Sequence, residues 1–515
     1  MNVLLISVQR DLDIIGLKYL HYCLRNAGYN SFLLHLPNFN HDDEKTLEHI
    51  REFISKIDPG FIAISLMDVE FIRARELTKY LKKMFDAIPV VWGGIHPTIF
   101  PENCIKYADY VCIGEGELTI LDIADTINRN GNIKTINNLC YMEDGKIKRN
   151  ALYPLITDLD TLPIYEHIPI NSYLQEENAQ IIPIDSKIFS KYERYRGTIY
   201  NIMSSRGCPF SCTYCCNNYI SKLYNSKKIR RRGINNIILE LKRAVNENKQ
   251  IEYINFQDDC FLACSDEYLE EFCDIYEKEI KMPFVVRSIP TYLNRKKVES
   301  LKRAGLAWIS IGLQSGSDRV CNEIFKRRSL KADFLRTARI INGFKIAAFY
   351  DVILDNPFEN EEDMLETIDT LIETPRPFYT QLFSLTLYSG TELLEKARKE
   401  CPEKIENTLE KDYLVYNKSA LNALVRLSGI LNKNIMKTLV YIYKRNPSGI
   451  AFRTLLGFSK FITLVYFEPI MYFRVIKLSQ RGSVMKTLKV MPNYLKEGLM
   501  RYFIQFKGSN KINLL

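Results

Sequence analysis

The sequence predicts an α/β protein in three parts: a Rossmann-like open, mostly parallel sheet over residues 1–150, a partial (β/α)6 TIM-like barrel over 198–400, and a mainly helical basic region over 401–515. Three observations predict it. Short β-branched apolar runs alternate with helical patterns twice along the chain. A proline-marked connector, residues 151–197 with Pro154, Pro163, Pro169 and Pro183, separates the two runs. Positive charge then gathers at the end: sixteen Lys and Arg against Glu468 and Glu497 give residues 421–515 a net +14, leaving −5 for the first 420 residues of a chain at +9.

The composition, 46% hydrophobic and 25% charged over 515 residues, suits two or three globular domains and excludes disordered, collagen-like and disulfide-scaffold chains. The N-terminus lacks the basic flank and long apolar run of a signal peptide, and no uninterrupted apolar stretch of ~18 residues predicts a membrane span. Thirteen cysteines are an odd count, so reduced thiols or metal ligands and a cytoplasmic location are expected. The six histidines, His21, His35, His41, His49, His96 and His167, all lie in the first third. A catalytic imidazole in the barrel would have to come from the front domain.

Residues 3–8, Val-Leu-Leu-Ile-Ser-Val, read as a buried strand, and Ile15, Leu17, Tyr19, Leu20, Cys23 and Leu24 mark a helix that Gly28 ends. The pattern repeats with strands at 61–66, 90–92 and 110–113 and helices at 71–84 and 118–128. In such sheets ligands bind beyond the strand carboxyl ends. The second alternation predicts strands at 199–204, 252–257, 283–288, 307–313, 347–354 and 380–386, with helices at 234–247, 266–279, 295–304, 331–343 and 361–373. Its active site would also lie at the strand carboxyl ends.

Cys208, Cys212 and Cys215 stand in C-x3-C-x2-C spacing directly after the first barrel strand. Three thiolates on one loop can hold three irons of a [4Fe–4S] cluster and leave the fourth open. A structural zinc site would need a fourth ligand, and Cys216, adjacent to Cys215, is poorly placed to close a tetrahedron.

With Tyr214 before the last cysteine, this loop resembles the signature of the radical S-adenosylmethionine (SAM) enzymes, and other family landmarks follow in order over about 198–400. Phe256-Gln-Asp258-Asp259-Cys-Phe261 resembles the methionine-binding strand end in its cobalamin-branch form. Arg287 ends the third strand. Ile309 to Asp318 resembles the Gly-x-Glu-Ser-Gly-Ser segment, with Gln314 in place of the usual Glu and Ser315 after it. Asp351 to Asp363 resembles the Ile-x-Gly-x-Pro-Gly-Glu-Thr turn, from which Asn356 and Phe358 depart, and Ser389-Gly390-Thr391 resembles the closing loop. The resemblance implies a cluster on the three cysteines, SAM cleaved to a 5′-deoxyadenosyl radical, Tyr214 near the adenine, and Asp258 or Asp259 accepting from the methionine ammonium. Arg287, Gln314 and Ser315 would be further SAM contacts.

The front part resembles the cobalamin-binding domain of that family's B12-dependent branch. Asp11 and Gly16 match its Asp-x-His-x-x-Gly loop, while Asp13 replaces the cobalt-binding histidine. A lower cobalt ligand other than imidazole is implied: Asp13, water or an open position. Ser65-Leu66, Gly93-Gly94 with His96, and Gly114-Glu115 resemble the loops around the cofactor's tail, glycine allowing close approach and the amides before the last helix suiting a polar or anionic group.

The tail mixes cations with Phe452, Phe458, Phe461, Tyr466, Phe467, Tyr472, Phe473, Tyr502 and Phe503, and Pro447, Pro469 and Pro492 divide it. A helical cover for the barrel is expected. An interfacial membrane helix around 449–476, suiting a lipid substrate, is the second reading, and nucleic-acid binding the third. The function implied is a cobalamin-dependent radical SAM enzyme methylating an unactivated carbon of a small-molecule, lipid or peptide substrate, with an electron donor such as flavodoxin or ferredoxin. Ring formation, rearrangement or oxidation on the same cofactors is the alternative. A non-catalytic corrinoid or iron–sulfur sensor is the rival from a different class.

Overall fold

The structure is a computed structural model that describes residues 1–405 and 414–480, with 484, 485 and 488. The expectations on Pro492, Tyr502 and Phe503 lie outside the described residues.

The front sheet comprises β1 (Asn2–Ser7), β2 (Asn30–His35), β3 (Pro59–Ser65), β4 (Val90–Gly93), β5 (Tyr110–Cys112), β6 (Leu139–Glu143), β7 (Lys146–Arg149), β8 (Ser172–Gln175) and β9 (Ile181–Pro183), in the order β7-β6-β5-β4-β3-β1-β2-β8-β9. The pairs β1–β2, β1–β3, β3–β4, β4–β5 and β2–β8 are parallel. The edge pairs β5–β6, β6–β7 and β8–β9 are antiparallel. The strand order reverses at β1, so the loop Gln9–Gly16 leaves the sheet at the point where such sheets open a crevice. The connector is more than a linker: β8 and β9 lie within it and extend this sheet beyond β2. These strands have four and three residues, too few to carry a periodic signal.

The second sheet is fully parallel: β10 (Ile199–Ile202), β13 (Tyr253–Phe256), β14 (Phe284–Ser288), β15 (Leu306–Gln314), β16 (Ala347–Leu354) and β17 (Tyr379–Ser384), in that order. The outer strands β10 and β17 do not pair, which leaves a partial barrel. A small antiparallel pair, β11 (Ser205–Arg206) with β12 (Arg230–Arg231), brackets the cysteine loop. The helices Ile234–Glu247, Asp266–Glu279, Arg295–Ala304, Lys331–Gly343 and Glu361–Glu373 occupy the predicted ranges. Their ends follow from local chemistry. Ser265, Asn294 and Asn360 accept from amides in the first turn, and Gly305 takes the left-handed conformation at φ +115° that ends its helix.

The tail is a helical cover. Leu424, Val425, Met436 and Leu439 join the barrel's core, and Met471 and Val475 pack on Ala347. The interfacial reading of 449–476 therefore fails for its second half, which lies on the barrel. Helix Ile450–Ile462 still shows Ile450, Phe458 and Phe461 to solvent. Among the described residues no helix is long and apolar enough to cross a membrane.

Candidate functional site

The cysteine loop is pinned from three directions. Gly207 sits at φ +100°, and a Cβ there would come within 3.1 Å of the Lys228 carbonyl. The Thr213 amide donates to the Phe325 carbonyl at 3.0 Å, its hydroxyl to the Ile324 carbonyl at 2.6 Å, and its own carbonyl accepts from the Leu393 amide at 3.0 Å. The Cys215 amide closes a turn on the Cys212 carbonyl, and Cys215 begins helix Cys216–Leu223. All three thiols are free of disulfides. Burial pushes Cys208 up to about 12 and raises Cys212. Cys215 is raised first by its hydrogen bond with Cys216 and then by burial. Each thiol feels the charge of a neighbouring one, Cys208 and Cys212 that of Cys215. Yet no three His, Cys, Asp or Glu side chains among the described residues converge on a single ion position.

Arg327 was not anticipated from the sequence. Its buried guanidinium donates to the Tyr214 hydroxyl at 3.0 Å and the Gly312 carbonyl at 2.9 Å, and it lowers the Cys212 thiol against the pull of burial. Its Nε has no partner. An orphaned cationic donor beside a thiol fits an acceptor-rich, anionic group on this loop. The Tyr214 ring packs edge-on against Phe325, centroids 4.8 Å apart.

The paired aspartates separate. Asp258 is buried and accepts from the Ser204 amide at 2.7 Å and the Ser204 and Ser205 hydroxyls at 2.5 and 2.6 Å. It anchors the strand end. Asp259 is exposed, with Asn217 and the Gly207 amide beside it. Arg287 is also exposed and donates to Gln257. From there a chain of amides runs along the strand carboxyl ends to the front domain. Gln257 donates to Asn201 at 2.8 Å, and Asn201 donates to Asp13 of the front domain at 2.6 Å.

Gln314 takes the left-handed conformation at φ +66°, and a Cβ on Gly312 would lie 2.4 Å from its amide nitrogen. Ser315 is buried and donates to Glu359 at 2.8 Å. Burial pushes Glu359 up to about 7 against the Ser315 hydrogen bond, and its second oxygen has no partner. A carboxylate thus stands next to the position where Gln314 replaces the usual Glu. Its place in the turn motif was visible in the sequence, but its proximity to Ser315 was not.

The front-domain residues are arranged differently. Asp13 pairs with Lys18 as well as Asn201, and its side chain is 1% exposed. Asp11 accepts from the Asp13 amide, and burial raises its pKa. Gly16 is exposed, with open space where a Cβ would point. Ser65 ends β3, and Leu66 bonds the Gly93 carbonyl. A Cβ on Gly94, at φ +99°, would meet the Leu66 carbonyl at 2.8 Å, so its glycine answers to the chain's own backbone. His96 is completely buried, its Nδ1 2.6 Å from Asp68, and turns no surface outward. The amides expected to be free are taken: Gly114 donates to the Thr98 hydroxyl, Glu115 to the Tyr224 hydroxyl.

Glu115 is a latch between the two domains. Arg230 grips both its oxygens at 2.7 and 3.0 Å, and Arg206 bonds it at 3.0 Å and Glu117 at 2.6 Å. Burial opposes ionisation of Glu115, but Arg230 and Arg206 outweigh it and hold the carboxyl below its usual range. Arg206 lies two residues before Cys208, so the latch fixes the root of the cysteine loop.

The radical SAM superfamily profile matches residues 202–371, and the B12 binding domain profile matches residues 1–124. An uncharacterized methyltransferase of Pyrococcus horikoshii is 27% identical over 362 residues, 69% of this chain and 73% of its own. The anaerobic magnesium-protoporphyrin IX monomethyl ester cyclase of Rubrivivax gelatinosus is 24% identical over 376 residues, 69% of this chain and 60% of its own. The radical S-adenosylmethionine methyltransferase TsrM from Kitasatospora setae, solved with cobalamin and a [4Fe–4S] cluster, shares the fold. Its TM-score is 0.62 at 18% identity, over 78% of each chain.

Proposed function

Because this chain belongs to the radical SAM superfamily and carries a B12 binding domain ahead of the radical SAM domain, we propose that it is a cobalamin-dependent radical SAM enzyme that methylates an unactivated carbon. The observation that carries this is the pinned loop of three cysteines free of disulfides, with the orphaned Arg327 donor beside it, on a barrel whose first strand reaches the switch-point loop of the front sheet through Asn201 and Asp13. Cys208, Cys212 and Cys215 would hold the cluster and the front domain cobalamin; bound there, they supply the electron that cleaves SAM and a transferable methyl group. Asp259 is the carboxylate open to a methionine ammonium, while Asp258 holds the strand end. Glu359 supplies negative charge beside Ser315 where Gln314 cannot. Arg327 balances thiolate charge at Cys212.

Asp13 is closed off by Lys18 and Asn201, and His96 is enclosed, so neither is offered to cobalt. A cobalamin held by this domain would draw no ligand from either residue. Paramagnetic resonance of the reduced corrinoid should show no nitrogen hyperfine coupling from a protein imidazole.

Methyl transfer is supported by the Pyrococcus relative's name, and the Rubrivivax cyclase's name marks the ring-chemistry outcome that the test must separate. The test is anaerobic reconstitution with iron, sulfide and cobalamin, then assay for 5′-deoxyadenosine and S-adenosylhomocysteine. Both products support methyl transfer. 5′-Deoxyadenosine alone moves the reading to ring chemistry. A chain that stays iron-free and colourless overturns it.

Peripheral contact with an anionic bilayer through helix Ile450–Ile462 has support in exposed Ile450, Phe458 and Phe461 beside Arg453 and Lys460. Co-sedimentation with vesicles containing phosphatidylglycerol, lost on Phe458→Ser/Phe461→Ser, checks it.

A further inference from the structure

A cavity of about 460 Å³ opens beside the cysteine loop. The loop supplies Phe210 and Ser211 to its wall, both lying between Cys208 and Cys212 in the chain. Tyr292 meets Phe210 edge-on there, ring centroids 6.0 Å apart. The charged residues of the wall are Lys227, Lys326 and Arg328, with no carboxylate among the lining side chains. All three cations are exposed. Lys227 donates to the Ser211 hydroxyl at 2.5 Å, so one cation is attached directly to the loop. Lys326 pairs with Glu392 at 3.0 Å, but Glu392 also holds Lys222, and that trio keeps one net positive charge. Arg328 makes no hydrogen bond or ion pair among the described residues.

The backbone arranges this deliberately. Lys326 and Arg328 both adopt the left-handed conformation, at φ +49° and +53°, which L side chains take only at a cost of about 1 kcal/mol each. The result is a tripeptide with two addresses. Arg327 turns inward to Tyr214, beside Cys212, while its two neighbours turn outward to the cavity rim. The same segment holds the loop through the Thr213 bonds to Ile324 and Phe325. The rim is therefore built in part on the residues that lie between Cys208 and Cys212.

A reading that places a redox cluster on these cysteines requires an electron from outside, and transfer between proteins falls steeply with distance. Resting on that reading, we propose that the rim formed by Lys227, Lys326 and Arg328 is the docking site for an acidic, low-potential, one-electron donor protein. One electron leaves the reduced donor and enters the oxidised cluster, and no bond or proton changes hands. Positive charge with no carboxylate to oppose it steers an acidic partner to this face and speeds encounter more than it tightens the complex.

The test follows cluster reduction in the full-length, anaerobically reconstituted protein by stopped-flow absorbance and paramagnetic resonance. Two reductants are compared: photoreduced flavodoxin and titanium(III) citrate. Lys227→Glu/Arg328→Glu should lower the second-order rate with flavodoxin by on the order of tenfold at low salt, leave the titanium rate unchanged, and lose the difference at high salt. Lys227→Gln/Arg328→Gln should fall between. Equal flavodoxin rates in wild type and both variants overturn the proposal. So does an equal loss with titanium(III) citrate, which would place the effect at the cluster instead of at docking. A wild-type protein in which neither reductant yields a reduced cluster signal sinks the functional reading itself, and the docking site with it.

Discussion

The two α/β units both send loops from their strand carboxyl ends toward each other, but the residues that match binding motifs are engaged to different degrees on the two sides. On the barrel side, three thiols are free of disulfides, Asp259 and Arg287 are exposed, and Glu359 and Arg327 each keep an atom without a partner. On the front side, Asp13, Glu115, the Nδ1 of His96 and the amides of Gly114 and Glu115 are already engaged by Lys18, Asn201, Asp68, Arg230, Arg206, Thr98 and Tyr224, and only the enclosed Nε2 of His96 among these keeps no partner. A residue that matches a binding motif can hold the loop in shape or be offered to a ligand. Its hydrogen-bond partners separate the two.

The sharpest way to break the contrast is Cys212→Ala. It should abolish iron retention and reduce 5′-deoxyadenosine to background, while the front domain still binds cobalamin; iron and sulfide analysis with an absorption titration of the corrinoid checks both halves. Next is the latch. Glu115→Ala leaves Arg230 buried without its carboxylate and should cost about 3 kcal/mol of stability, read by chemical denaturation, with faster amide exchange around Arg206–Cys208. The aspartate pair sharpens the comparison within the barrel. Asp258→Asn strands donors from Ser204 and Ser205 and should cost about 2 kcal/mol, whereas Asp259→Asn should leave stability unchanged and weaken SAM binding by roughly tenfold, measured by calorimetry on the reconstituted protein.

The smallest effect per residue is pH dependence. Burial lowers His21 to about 3 and His35 and His167 to about 4. Below pH 6.5 the unfolded chain takes up protons that the folded chain refuses, so stability is full above that pH and is lost as pH falls toward 4. The loss should be on the order of 1 kcal/mol for each histidine. Denaturation midpoints at pH 7 and pH 5 measure it, and a flat profile would show that these rings are not held neutral.

The barrel was the more legible half. Most of its strands are buried on both faces and its helices are amphipathic, so period and caps marked five helices at their observed ranges. The cysteine spacing is local and needed no tertiary knowledge. The front sheet was read in part: β1, β3, β4 and β5 stood out, but β2, β6, β7, β8 and β9 did not, because a short strand beside a stable neighbour needs little propensity of its own. The latch residues Arg206 and Arg230 gave no signal at all. Arg230 belongs to a basic stretch, Lys227 to Arg232, that could equally have been a solvated surface, and Arg206 is a lone cation before the cysteines.

By itself, the chain's order of residues determined two α/β alternations, a three-cysteine loop after a strand, and a cationic tail. These depend on spacing along a single backbone, which covalent geometry carries into any fold it adopts. The tertiary structure alone decided which aspartate is anchored and which is exposed, that Asp13 is sealed by Lys18 and Asn201, and that Glu115 joins the domains. Those outcomes depend on partners far away in sequence, and a charged side chain's role is set by whichever counter-charge the fold brings within hydrogen-bond reach.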